Sequence, residues 1–309
     1  MTKMKANGHS IEISNPDKQM FPDDNISKKE LAEYYSQMAE HIIPLTTDRP
    51  MMIHRYPDGI NGNNFYQKQT ADYFPGWLKE IKVRVKKAGE DSQQMLNCDS
   101  EAALIYIANQ ACITPHIWLS KKNKLDYPDK MIYDLDPPEN GFKLVQQAAK
   151  DFKKLFDELE LHCYVMTTGS RGMHVVLPLD QTADFDQTRQ FARDAANLLA
   201  DTKPDDYTVE TLKKKRKGRL FLDYLRNAYG QTSVVPYALR PIKGAPVATP
   251  LSWNETGKSA LNAQSYKYSN IFQRISRKEN PWKDFNQKKN NLDKARKKLD
   301  ELIKKQENA

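Results

Sequence analysis

Two aspartates, Asp134 and Asp136, lie on the apolar stretch Lys130-Met-Ile-Tyr-Asp-Leu-Asp-Pro-Pro138, which stops at a pair of prolines. At strand periodicity both carboxylates project from one face. Acids held side by side repel each other, and a divalent cation relieves that repulsion while keeping both ionised. An all-oxygen donor set suits Mg2+ or Mn2+. An aspartate pair alone also fits a solvated strand end. A third acid narrows the reading, because Asp223 sits inside Phe221-Leu-Asp-Tyr224, where a buried, unpaired charge would cost on the order of several kcal/mol. Three carboxylates arriving from two strands suit two-metal chemistry, one ion activating an attacking oxygen and the other stabilising the leaving group.

The hairpin sequence Thr167-Thr-Gly-Ser-Arg-Gly-Met-His174 offers complementary groups. Its two glycines permit close backbone approach, Ser170 and main-chain N–H groups fit phosphate oxygens, Arg171 adds a guanidinium fork and His174 a further donor. Most glycine-bounded hairpins are merely turns. This one gains weight from the three acids and from the basic run Lys213-Lys-Lys-Arg-Lys-Gly-Arg219, since metals and cationic side chains together neutralise a nucleoside triphosphate. Charge runs are usually solvated faces, but this run abuts the Asp223 strand. Phe65 and Tyr66 fit either base stacking or core packing.

Strands and helices must hold these groups in place. The period-two and helical patterns predict a strand at 51–56, an extended segment at 113–119, and strands at 163–168, 174–179, 220–225 and 234–239. Helices are expected over 28–43, closed by Pro44, and over 100–110, 143–159, 184–201 and 288–305. Ser27 with Glu30 three residues on is a capping-box signature for the first of them. After Pro250 the chain reads as irregular. Intermixed strands and helices give an α/β (α+β) class around a mixed sheet.

The chain of 309 residues is long enough for one large domain or two ordinary ones. Its 48 Lys and Arg against 40 acids give +8, and with a pI near 9.1 this favours a polyanionic partner. There is neither an apolar run of spanning length nor a cleavable signal pattern at the start, so nucleic acid is favoured over membrane and a cytoplasmic, nucleoid-associated location is expected. Cys98, Cys112 and Cys163 show no metal-ligand spacing and read as small buried residues.

In these motifs the chain resembles the archaeo-eukaryotic primase superfamily, and within it the polymerase domain of bacterial DNA ligase D, which acts in non-homologous end joining. The resemblance runs from Asn15-Pro-Asp-Lys18 to about Trp282. It rests on Tyr133-Asp-Leu-Asp-Pro-Pro138, Thr168-Gly-Ser-Arg-Gly-Met-His174, Phe221-Leu-Asp-Tyr224, Pro236-Tyr-Ala-Leu-Arg-Pro241 and Gly244-Ala-Pro-Val-Ala-Thr-Pro250.

The resemblance implies a primase-polymerase core with mixed central sheets flanked by helices, plus a smaller N-terminal subregion. The polymerase domain is expected over 1–285, with the N-terminal subregion at 1–99, the catalytic core at 100–285 and a basic C-terminal helix at 286–309. By similarity Asp134, Asp136 and Asp223 would hold two divalent ions, Mn2+ or Mg2+. Tyr66, His116, Thr168, Ser170, Arg171, His174, Arg216 and Arg240 fall at nucleotide-binding positions, and Asn15, Lys18 and Lys28 at the pocket for a DNA 5'-phosphate. Expected partners are DNA with gaps or double-strand ends, nucleoside triphosphates, Ku and a DNA ligase. The implied activity is template-directed extension of 3' ends, with ribonucleotides preferred. A de novo primase and a non-catalytic end-binding scaffold are the rival readings. The chain departs from the family pattern at His54 and Arg171, where lysines are usual, and at Arg226, where glutamine is frequent. No ligase or phosphoesterase region is recognised, so a stand-alone module, or one excised from a longer ligase, is expected.

Overall fold

The computed structural model describes residues 2–87, 90–138 and 141–308. In chain order its elements are β1 (Thr2–Ala6), β2 (His9–Ile13), β3 (Gln19–Phe21), β4 (Ile26–Ser27), α1 (Lys28–Gln37), α2 (Ala39–Thr46), β5 (Pro50–Arg55), β6 (Phe65–Gln67), β7 (Lys79–Lys87), β8 (Glu90–Asn97), α3 (Glu101–Asn109) and β9 (Cys112–Trp118). They continue as β10 (Lys130–Asp136), α4 (Phe142–Glu158), β11 (Tyr164–Thr167), β12 (Met173–Pro178), α5 (Phe185–Thr202), β13 (Tyr207–Thr208), β14 (Leu220–Asp223), β15 (Thr232–Val234), β16 (Thr249–Leu251), α6 (Ile271–Arg277) and α7 (Leu292–Glu307). The mixed α/β class expected from the sequence is what forms.

The chain folds as two units. The first takes residues 1–125, 232–248 and 267–269, and the second takes 126–231, 249–266 and 270–309. Both are discontinuous in sequence, so the first unit extends beyond residue 99 through α3 and β9.

In the first unit β15, β9, β5, β8 and β7 form an antiparallel sheet, with β6 pairing β5. Ser27 caps α1 through a reciprocal pair with Glu30, satisfying N–H groups that a helix start leaves open. The structure corrects the single helix expected over 28–43: α1 ends at Gln37, and α2 carries Pro44 inside it. Proline forfeits one helical donor there, and the Thr46 and Thr47 hydroxyls bond back to the Ile43 carbonyl at 3.3 and 2.8 Å. A second correction concerns 234–239, where the ladder to β9 ends at Val234 and an isolated bridge from Leu239 to Val247 follows. Pro236 lacks a ladder donor and Tyr237 adopts φ 68°, which turns the chain out of the sheet. The β7–β8 hairpin was not anticipated, although Ile81 and Val83 alternate with Lys82 and Arg84 across its first strand.

The second unit is built on a six-stranded sheet in the order β13-β14-β10-β12-β11-β16, antiparallel except for the β13–β14 pair. Alternation decides its faces. Met131, Tyr133, Leu135, Met173, Val175, Leu177, Leu220 and Leu222 join the core with Phe152 and Phe156 of α4 and Phe191 of α5. The intervening residues, Ile132, Asp134, Asp136, His174, Phe221 and Asp223, therefore point to the opposite face. The basic C-terminal helix forms as α7, capped by Asn291, and buries Leu292, Ala295 and Leu299 in the same core. The segment after Pro250, expected to be irregular, contributes α6. All three cysteines are free and buried.

Candidate active site

Strand register brings the acids together. Asp134 of β10 stands opposite Asp223 of β14 on one side and His174 of β12 on the other. Asp223, Asp134 and His174 thus form one cross-strand row, with Asp136 two residues further along β10. Asp134 is only 7% exposed. Its Oδ1 lies 3.3 Å from His174 Nε2 and its Oδ2 3.2 Å from Arg226 Nη2. Burial opposes its ionisation, but His174 and Arg226 outweigh burial and hold its pKa down to about 2. Burial, reinforced by the Asp134 charge, pushes Asp136 up, with Arg171 at 3.3 Å working against the rise. Asp223 is pushed up by burial and by Asp134, although its Oδ1 accepts the Leu225 N–H at 2.7 Å.

The donor set fits a hard divalent cation. It is all oxygen, it sits on one sheet face, and it concentrates like charge that two of the three carboxyls resist carrying. Among the described residues, however, no three His, Cys, Asp or Glu side chains are already gathered to hold a metal. The oxygens of Asp134 are turned to His174 and Arg226, and Asp136 is turned to Arg171.

The turn between β11 and β12 is organised by one hydroxyl. Thr168 Oγ1 accepts the N–H groups of Ser170 and Gly172 at 3.3 and 3.2 Å and donates to the Gly172 carbonyl at 3.2 Å. The Thr168 side chain is thereby committed to shaping the hairpin, while Ser170 and Arg171 are carried at its tip. Gln264 Nε2 steadies the tip by donating to the Ser170 carbonyl at 3.0 Å, a support that no motif announced. Gly172 is required, because a Cβ there would meet the Leu135 carbonyl oxygen at 2.0 Å. Arg216 lies over the Phe221 ring at 4.0 Å and donates to the carbonyls of Glu210 and Thr211. This fixes a cation beside the Asp223 strand.

The first unit holds two further clusters. Tyr66 of β6 pairs with His54 of β5, and their rings stack at 3.8 Å and 22°. Tyr66 is 54% exposed. Burial lowers the His54 pKa, against the raising effect of Asn64 at 2.8 Å and aided by Arg240, which keeps the ring neutral at pH 7. His116 of β9 is 6.0 Å from Tyr66, ring to ring. Tyr66, His116 and Arg240 are therefore assembled around His54.

The second cluster gathers Asn15, Lys18 and Lys28. Asn15 adopts φ 47°, and its carbonyl accepts the Lys18 N–H at 3.1 Å. Lys28 is 6% exposed and donates to Ser14 Oγ at 2.9 Å and to the Asn109 carbonyl at 3.3 Å. Burial, then the charges of Lys18 and Arg55, lower its pKa. Lys18 itself pairs with Asp58 at 2.8 Å. Arg55, absent from the motif reading, is held by Gln67, Tyr73 and Gln110. These partners are neutral, and the Arg55 charge adds to the lowering at Lys28.

The six-stranded sheet, with its cross-strand row of acids and its glycine-bounded hairpin, places the chain in the primase-polymerase class. The profile of the LigD primase-polymerase domain matches residues 27–282, and the chain belongs to that family. It is similar to the bifunctional non-homologous end joining protein LigD of Bacillus subtilis, 28% identical over 277 residues, covering 89% of this chain and 44% of that protein. The multifunctional LigD of Pseudomonas aeruginosa is 31% identical over 280 residues, covering 89% of this chain and 33% of that protein. The chain thus spans less than half the length of these relatives. Among solved structures, the polymerase domain of Mycobacterium tuberculosis ligase D in complex with DNA superposes with a TM-score of 0.83 at 26% identity, covering 89% of this chain and 98% of that one. Among the described residues no helix is long and apolar enough to cross a membrane.

Proposed function

We propose that this chain fills gaps and extends 3' ends of DNA during double-strand break repair by non-homologous end joining, acting in the cytoplasm on nucleoid DNA. One observation carries the reading: the row Asp223, Asp134, His174, with Asp136 beside it, on the face of the second unit's sheet opposite its α4 and α5 core. Two divalent ions, Mn2+ or Mg2+, would be held by Asp134, Asp136 and Asp223, and when bound they supply charge neutralisation and activation of the 3'-hydroxyl. The chain's own residues do the rest. Ser170, Arg171 and His174 bind and orient phosphate oxygens, with Thr168 shaping their turn, and Arg216 adds charge at the Asp223 strand. Tyr66 stacks on a base over the neutral His54 ring, and His116 and Arg240 bind the nucleotide alongside it.

Lys28, Lys18 and Asn15 form the 5'-phosphate site. Each effect that lowers the Lys28 pKa, namely lost water and neighbouring cations, is relieved by a bound anion. Residues 1–285 act as the polymerase region, with nucleotide-stacking and 5'-phosphate elements within 1–99 and the metal site within 100–285. The helix in 286–309 is an accessory. Ku and a DNA ligase are the proposed partners, and ribonucleoside triphosphates the preferred substrates.

The test is incubation with a 5'-phosphorylated gapped duplex, Mn2+ and each triphosphate type, beside an unprimed single-stranded template. Templated addition at the gap, greater with ribonucleotides, is expected. Dinucleotide synthesis on the unprimed strand would favour a de novo primase, and no incorporation on either would favour a scaffold.

A further inference from the structure

The acid row reaches for cations the chain itself supplies. Arg226 places Nη2 3.2 Å from Asp134 Oδ2, while Arg171 Nη2 is 3.3 Å from Asp136 Oδ2. Arg226 belongs to the turn that follows β14, and that turn is not free to drift. Asn227, fully buried, accepts the Ile132 N–H at 2.8 Å and donates to the Ile132 carbonyl at 2.8 Å, pairing with β10 much as a strand would. The Leu225 N–H is tied to Asp223. The backbone on both sides of Arg226 is therefore pinned to the two acid-bearing strands, and its guanidinium is aimed at the shared face. The side chain itself is 44% exposed, so it can leave Asp134 by rotation alone, without moving the turn.

We propose that Arg226 is a positioning residue that acts as an intramolecular cation latch on Asp134, so that divalent metal binds by exchanging with the guanidinium rather than by entering a preformed cage. The inference rests on the reading of these acids as metal ligands and concerns what this chain's Arg226 does to that step. Three observations converge on it. The acids share a face but are not gathered for a metal. Both oxygens of Asp134 are engaged by His174 and Arg226. The contact to Arg226 is long and half in water, and such a contact is weak enough to be displaced by a doubly charged ion. With the latch in place the row keeps its fold without metal; once released, the guanidinium is available to an anion.

The test is Mn2+ binding itself, read from loss of the free-ion electron paramagnetic resonance signal, without nucleotide or DNA. Wild type, Arg226→Gln, Arg226→Lys and Asp134→Asn are compared, and thermal melts confirm that each is folded. Arg226→Gln is expected to bind Mn2+ about two- to fivefold more tightly than wild type, the scale of losing one partly screened charge contact. Arg226→Lys, which keeps the charge but not the fork, is expected to fall between them, and Asp134→Asn to lose the tightest Mn2+. If wild type binds Mn2+ through Asp134 and Arg226→Gln binds no more tightly, the latch is refuted and the metal reading stands. If none of the four proteins retains Mn2+, the latch and the metal reading fall together.

Discussion

Lys28 shows how a single residue acquires a role from its surroundings. Its ammonium is buried among neutral oxygens of Ser14 and Asn109, with Lys18 and Arg55 as charged neighbours. A cation kept in such company is a standing invitation to an anion, and hydrogen bonds to charged groups are worth about 1.5–3 kcal/mol. Lys28→Met keeps the aliphatic stem and removes the charge. Binding to a 5'-phosphorylated gapped duplex is expected to weaken about tenfold or more, while binding to the 5'-hydroxyl duplex stays the same. Fluorescence anisotropy on the two duplexes measures this; equal losses on both would sink the phosphate assignment. At this scale the acids were legible, because the spacing of Asp134 and Asp136 and the burial of a lone acid in an apolar strand are properties of sequence. Arg55, Gln264 and Asn227 were not. Their importance comes from contacts made across 55, 94 and 95 positions of chain, and nothing local marks them.

Elements turn such residues into geometry, and two of them can be tested. The hairpin between β11 and β12 packs its Gly172 against β10 so closely that an alanine Cβ would fall 2.0 Å from the Leu135 carbonyl oxygen and 3.2 Å from Asp136 Oδ1. Gly172→Ala is expected to cost about 1–3 kcal/mol in urea unfolding, the usual range for overpacking, and to depress gap filling by moving Asp136. Unchanged stability and activity would show that the turn has room to shift. Glu255, by contrast, is a structural acid. It is buried, which disfavours its charge, yet Lys278 at 2.7 Å, the Ser252 N–H, Arg274 at 3.0 Å and Tyr266 hold its pKa at about 2. A carboxyl depressed below its unfolded value of 4.5 stabilises the fold above that value, and the benefit fades as pH falls toward 2. Glu255→Gln is expected to destabilise by about 1–2 kcal/mol at pH 7, discounted because Lys278 is half exposed and screened. The gap to wild type should narrow at pH 3; a gap independent of pH would refute the ionic account. Strong patterns made most elements readable, as in the capping box of α1 and the apolar stripe of α4. The β7–β8 hairpin escaped because its alternation is diluted by charge, and the continuation of helix past Pro44 escaped because Pro44 reads locally as a stop although Thr46 and Thr47 stabilise the last turn.

At the scale of the whole molecule, a net charge of +8 suits a polyanion, and each of the two units carries its own sheet. The order of strands was not legible, since β16 joins β11 from 82 positions away and no periodicity encodes such pairing. The acid row depends on that topology: only the placement of β10 between β12 and β14 sets Asp134 between His174 and Asp223. The measurement that bears most directly on the whole account is primer extension across a 5'-phosphorylated gap in Mn2+ by wild type and Asp134→Ala, with DNA affinity determined in parallel. Extension by the variant is expected to fall by about a thousandfold or more while DNA affinity changes less than about twofold. An Asp134→Ala protein that extends the primer as fast as wild type would contradict the polymerase assignment of this acid row.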